Sequence, residues 1–172
     1  MLYGVLPFVA PEVLRGGKFT KAADIYGFGM VMSEIICGNV PFADRDYDLH
    51  LALDICKGER PPIPEYTPEP YAALMKRCWD PIPTNRPSAY ELRGQIANWY
   101  IMFKYELSDR QEIEEFSQER EDKWKARLAE LAINPCPLKK SQNMLASKPL
   151  DYSKQLIQLL EVKNDDSTLY NL

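Results

Sequence analysis

The chain has 172 residues, a hydrophobic fraction of 45% and a formal net charge of −4. That length suits one domain, or one domain with an appendage, and the apolar fraction is enough to build a core. The acidic balance argues against a nucleic-acid binder, and no run of like charges is long enough to be a polybasic or acidic tail.

Other function classes fall away on similar grounds. The four cysteines, Cys37, Cys56, Cys78 and Cys136, and the single histidine, His50, form no C-x-x-C pair and no zinc-ligand spacing. Reduced thiols in a cytosolic protein are the expectation. The apolar opening stretch lacks a charged leader and is interrupted by Pro7 and Pro11, so it does not read as a signal peptide. No run approaches the roughly 20 apolar residues of a membrane span. A soluble, cytoplasmic chain without membrane or nucleic-acid partners is expected.

Taken in chain order, residues 1–23 carry Gly4, Pro7, Pro11, Gly16 and Gly17, which is loop chemistry with at most a short helix from Pro11 to Leu14. Asp24 to Cys37 is apolar on nearly all sides, which predicts a buried helix, and Gly38 stands at its C′ position. After a loop, Asp44 or Asp46 can cap a helix to about Lys57, with Gly58 ending it. A proline-rich extended stretch follows. Thr67 and Pro68 read as N-cap and first residue of a helix to about Trp79. Ser88 and Glu91 form a capping box for a helix to about Phe103. No stretch alternates long enough to predict a strand, so a mainly α fold is expected.

The remainder, 104–172, reads as a tail. Ser108 with Gln111 can cap a long helix, about 108–131, whose apolar residues Ile113, Phe116, Trp124, Leu128 and Leu131 fall near helical period with Arg120 interrupting them. Asn134, Pro135 and Pro137 stop it. Its stripe is too short for sustained heptads, and a solvated helix with weak docking is favoured over a coiled coil. From Leu138 the chain is polar with scattered Leu and Ile. A short helix within Asp151 to Val162 and a frayed terminus are expected, leaving this end mostly irregular.

Three signatures occur in order: Ala10-Pro11-Glu12 after Tyr3-Gly4-Val5-Leu6-Pro7-Phe8-Val9; Asp24-Ile25-Tyr26-Gly27-Phe28-Gly29 opening the buried helix; and Cys78-Trp79-Asp80-Pro81-Ile82-Pro83-Thr84-Asn85-Arg86-Pro87. Together they resemble the lower lobe of the protein kinase family, on its tyrosine-kinase-like and tyrosine kinase side, from the A-P-E motif of the activation segment onward. Pro41-Phe42 matches the family's loop after the central helix. The resemblance covers roughly residues 3–103. It implies a partial kinase C-lobe, helices F to I, over 1–103, with an additional helical tail.

The resemblance also implies roles. Glu12 pairs with Arg86 and ties the activation segment to the helical floor, a brace rather than acid–base chemistry. Arginine suits it because a planar fork meets a carboxylate through two parallel bonds. Asp24 accepts catalytic-loop amides in intact relatives; in this chain it can serve the helix N-terminus instead. Trp79 is expected to anchor the core. Gly4, Val5, Leu6, Pro7 and Phe8 match the segment that cradles the substrate residue just after the phosphorylated one. Many serine/threonine kinases carry a threonine where Val5 stands, and Val5 lacks its hydroxyl, which leaves the acceptor residue open. Tyr3 reads as a packing aromatic, with a modifiable activation-segment residue as the alternative.

Phosphoryl transfer needs positioned phosphates, metal ions and a base near the acceptor hydroxyl. The glycine-rich loop, the strand lysine, H-R-D-x-x-x-x-N and D-F-G do not occur in the sequence. Gly27-Phe28-Gly29 sits inside the buried helix, His50 is followed by Leu51, and Asp44 to Asp48 reads as a solvated cap. No catalytic, cofactor-binding or metal residue is therefore assigned. ATP and Mg belong to the intact family, and this chain alone is expected to be inactive. Its opening in mid-segment is what a truncated gene product or an incomplete gene model gives. An exposed apolar patch near Phe28, Met32 and Ile35 is expected where an upstream helix covers the central helix in the family. Two functions compete: part of an ATP-dependent kinase acting on a protein substrate, or a non-catalytic module that binds partner proteins.

Overall fold

In the computed structural model, residues 3–105, 117–134, 147–150 and 152–166 are described. The elements in chain order are β1 (Tyr3–Gly4), a 3-10 turn (Leu6–Phe8), α1 (Pro11–Leu14), α2 (Lys21–Cys37), α3 (Leu49–Cys56), α4 (Glu69–Cys78), a second 3-10 turn (Pro83–Asn85), α5 (Ala89–Tyr105), α6 (Gln118–Ile133), β2 (Lys148–Pro149) and α7 (Ser153–Asp166). The fold is mainly α.

The central helix α2 begins at Lys21, earlier than its apolar run, because the Thr20 hydroxyl accepts the Ala23 N–H at 3.3 Å and so caps it. It ends where Gly38 turns left-handed at φ 69°. Tyr26, Met30, Met32 and Ser33 are buried on it, at 3% exposure or less, so the helix is the axis of the core. Helix α4 packs beside it at Gly29, where an added Cβ meets the Cys78 Cβ at 2.9 Å. Tyr66 and Tyr71 donate their hydroxyls to the carbonyls of Ile36 (3.0 Å) and Met32 (2.9 Å), which ties this face together.

Two of the next helix starts differ from the sequence expectation and one agrees with it. Asp48, not Asp44 or Asp46, caps α3, accepting from His50 N and Leu51 N at 3.0 and 3.1 Å. Tyr47 decides this: its buried ring and its bond to the Pro41 carbonyl (2.6 Å) hold the preceding residues as loop. Thr67 does not cap α4; it is buried, Pro68 takes the N-cap position, and the helix begins at Glu69. The Ser88–Glu91 capping box forms, with Ser88 N to Glu91 Oε2 at 2.7 Å and Glu91 N to Ser88 Oγ at 3.2 Å, and α5 runs on to Tyr105.

Helix α6 starts after Ser117; the expected start at Ser108 and the residues Ile113 and Phe116 lie outside the described residues. It docks on the end of α2 without burying any residue fully. Trp124 Nε1 donates to the Ile35 carbonyl (3.3 Å). Arg120, which breaks the apolar stripe in sequence, donates to the Thr67 carbonyl at 2.8 Å and is an anchor.

The tail returns to the start of the chain. β2 pairs antiparallel with β1, with Tyr3 opposite Pro149 and Gly4 opposite Lys148. No strand was expected there, because a two-residue ladder carries no periodicity. Helix α7 packs on α3. Leu150 and Leu156 enter the core at 4% and 0% exposure. The sequence reading leaves this end mostly irregular, whereas its described part is ordered by these contacts. Among the described residues no helix is long and apolar enough to cross a membrane.

Candidate substrate-side segment and its brace

The chain from Gly4 to Phe8 lies over α2 and α3 as a short extended piece followed by a 3-10 turn. Phe8 N donates to Val5 O at 3.0 Å and Val9 N to Leu6 O at 3.2 Å, which closes the turn. Leu6 and Pro7 are buried, while Val5 and Phe8 are half-buried and pack on the core. Gly27 lets this segment approach α2, since a Cβ there meets the Phe8 carbonyl at 3.2 Å. Tyr3, expected to pack, is exposed.

Behind the segment stands an ion pair. Arg86 Nη1 reaches Glu12 Oε1 at 2.7 Å and Nη2 reaches Oε2 at 2.8 Å, the two-bond geometry that a guanidinium and a carboxylate favour. Arg86 also donates from Nε to the Asp80 carbonyl (2.8 Å) and from Nη1 to the Ala22 carbonyl (2.9 Å). One side chain thus joins α1, the start of α2 and the loop after α4. The Arg86 side chain is fully buried and that of Glu12 is 24% exposed. Burial pushes the Glu12 carboxyl up, but the hydrogen bonds and charge of Arg86 outweigh it and hold the carboxyl below its ordinary range.

Tyr26 and Arg60 complete the brace, and the sequence reading singled out neither. Two guanidinium groups lie over the Tyr26 ring, Arg60 at 5.1 Å and Arg86 at 5.3 Å from its centroid. Burial raises its phenol far above the usual range, so it stays neutral. Arg60 in turn donates from Nε and Nη2 to the Trp79 carbonyl, at 3.1 and 3.0 Å. The only hint in sequence was an arginine beside two prolines, with no partner visible nearby. Trp79 is 5% exposed within the core. Asp24 is exposed in the first turn of α2, where the helix dipole favours a carboxylate. Arg15 Nη2 donates to the Cys56 carbonyl, tying α1 to α3.

The thiols are structural. Burial raises Cys37 and Cys56, and pushes Cys78 up to about 11. All three are free.

A family model described as protein tyrosine and serine/threonine kinase matches residues 4–96, from the start of this segment into α5. The chain belongs to the protein kinase family. Among its relatives, a putative serine/threonine-protein kinase/receptor of Acanthamoeba polyphaga mimivirus is 40% identical over 89 residues, 52% of this chain and 5% of the relative. The human mitogen-activated protein kinase kinase kinase 10 is 33% identical over 123 residues, 71% of this chain and 12% of the relative. The dual specificity protein kinase shkD of Dictyostelium discoideum is 28% identical over 171 residues, 88% of this chain and 22% of the relative. The chain therefore spans well under two thirds of these kinases. The matched residues form the partial kinase lower lobe expected from the sequence.

Proposed function

We propose that this chain supplies the substrate-side floor of an ATP-dependent protein kinase domain. The observation that carries this is the two-bond Glu12–Arg86 pair beneath the Gly4–Phe8 segment, within residues matched by the family model. In this reading Gly4, Val5, Leu6, Pro7 and Phe8 form the wall against which the substrate residue after the phosphoacceptor sits. Glu12, Arg86 and Trp79 position that wall and take no part in proton transfer. The names of the relatives favour serine or threonine as acceptor, with dual specificity among them.

The described residues do not fit ATP and Mg. Gly27 and Gly29 face the Phe8 carbonyl and Cys78 at contact distance, so neither can cradle a phosphate. Asp48 is committed to capping α3. Among the described residues no cluster of His, Cys, Asp or Glu could hold a metal ion. We therefore derive no phosphoryl-transfer step for this chain and propose that alone it transfers no phosphate. Three free thiols are compatible with a reducing, cytoplasmic setting.

The alternative is a non-catalytic module that binds partner proteins through the same floor, a reading favoured by the tail docked beside the substrate-side segment. Incubating the purified chain with labelled ATP, Mg and a serine/threonine peptide library tests the inactivity. No incorporation is expected. Metal-dependent incorporation that survives repurification would refute it.

A further inference from the structure

Gly4, the first residue of the segment proposed to face a protein substrate, already has a polypeptide beside it. Lys148–Pro149 extends antiparallel along Tyr3–Gly4. The next residue, Leu150, is 4% exposed, and its Cδ1 lies 3.6 Å from where a Gly4 Cβ would be. After this short ladder the chain turns into α7, which lies on α3 and places Leu156 in the core at 0% exposure. Ser153 abuts Gly16, its Cβ 3.3 Å from the position of an added Cβ. Tyr152 and Leu160 pack at the edge of the same cluster.

We propose that residues 148–150 and 152–160 are a cis ligand of the substrate-side face, the first as a strand and the second as a helix, with Leu150 and Leu156 as anchors. The proposal rests on the reading of Gly4 to Phe8 as the substrate-side wall. Backbone pairing on a strand edge with side chains in alternate pockets is a general mode of peptide capture. Lys148, Pro149 and Leu150, the residues at the β1 edge, carry no hydroxyl, so this part of the tail offers no phosphoacceptor there and acts as a cover. Pro149 has no N–H to extend the ladder, which keeps the pairing short and the cover displaceable. A protein that presents an extended segment and a helix with the same leucine spacing is the kind of partner that would displace it.

The test uses the 172-residue chain, its Leu150→Ser/Leu156→Ser variant, and a synthetic peptide with the sequence of residues 146–162. If the tail is docked about nine-tenths of the time, the intact chain binds the peptide about tenfold more weakly than the variant, because only the open fraction is competent. Amides of residues 3–9 are expected to exchange faster in the variant and to regain protection when the peptide is added. A folded variant that does not bind the peptide overturns the proposal. Should the variant fail to fold, hydrogen exchange on the unmodified chain decides. Slowed exchange at 150 and 153–160 supports docking, and exchange at unprotected rates overturns it. A degenerate peptide library with a fixed central serine separates this proposal from the reading beneath it. Competition between library and tail peptide supports a shared site, and independent binding of both overturns the cover. Tail-peptide binding with no library binding keeps the docking and removes the substrate-side reading.

Discussion

Replacing Glu12 by alanine isolates the brace. Arg86 makes four hydrogen bonds, two to the Glu12 carboxylate and one each to the carbonyls of Asp80 and Ala22. The substitution removes the first two and leaves a fully buried guanidinium with two neutral acceptors and the face of Tyr26. Hydrogen bonds to charged groups contribute about 1.5–3 kcal/mol each, which gives about 3–6 kcal/mol for the two. Breaking buried ion pairs by removing one partner costs about 3–5 kcal/mol, which agrees. Urea unfolding followed by tryptophan fluorescence reads this directly. With a slope of about 2 kcal/mol per molar, the midpoint falls by about 1.5–2.5 M. A shift under about 0.5 M would mean that Arg86 gains little from its partner, and the brace would be incidental. The pH dependence has a fixed sign. The folded Glu12 carboxyl lies below its ordinary value of 4.5, so its contribution is complete above that value and disappears as pH falls through the lowered one. Wild type and Glu12→Ala should therefore converge in stability in acid.

Four further outcomes follow from the same geometry. Tyr26→Phe removes a buried hydroxyl that has no hydrogen-bond partner among the described residues; stability should hold within about 1 kcal/mol or rise, and a larger loss in urea unfolding would reveal a missed partner. Gly29→Ala forces a methyl against Cys78 and should cost about 1–3 kcal/mol by overpacking, read as a lowered thermal midpoint; an unchanged midpoint would contradict the close approach of α2 and α4. Cys78 should resist a thiol reagent at pH 8 until the protein is unfolded, since burial keeps the thiol protonated; labelling at the unfolded rate would contradict its burial. Of the patch expected at Phe28, Met32 and Ile35, Ile35 is 55% exposed, Phe28 is half-buried and Met32 is buried, while Val31, which was not expected in it, is 40% exposed on the same helix. Val31→Glu should reduce hydrophobic-dye binding, and unchanged binding would place the patch elsewhere.

Local chemistry made part of this molecule legible. Ser88 and Glu91 satisfy each other's backbone donors, and Gly38 turns left-handed, so both helix ends could be read from neighbours in sequence. The three aspartates from Asp44 to Asp48 are equivalent caps by local rules; only the burial of Tyr47 selects Asp48, and burial is a long-range fact. Arg120 looked like a flaw in an apolar stripe because its acceptors, the carbonyls of Glu65 and Thr67, lie on another part of the chain. Leu150 and Leu156 looked scattered for the same reason, since the tail packs on β1 and α3, far back in the sequence. The Glu12–Arg86 pair was reached through the family resemblance and not through spacing. The contact of the Tyr26 ring with two arginines was missed because cation–π contacts leave no sequence period.

Heteronuclear NMR of the Arg86 guanidinium tests the brace most directly. Two acceptor oxygens at 2.7 and 2.8 Å in a fully buried site predict resolved, slowly rotating Nη groups whose protons resist solvent exchange. That pattern should disappear in Glu12→Gln. A single averaged Nη signal exchanging freely with water in the wild-type chain would show the guanidinium unclasped, and the Gly4–Phe8 segment would have no floor to rest on.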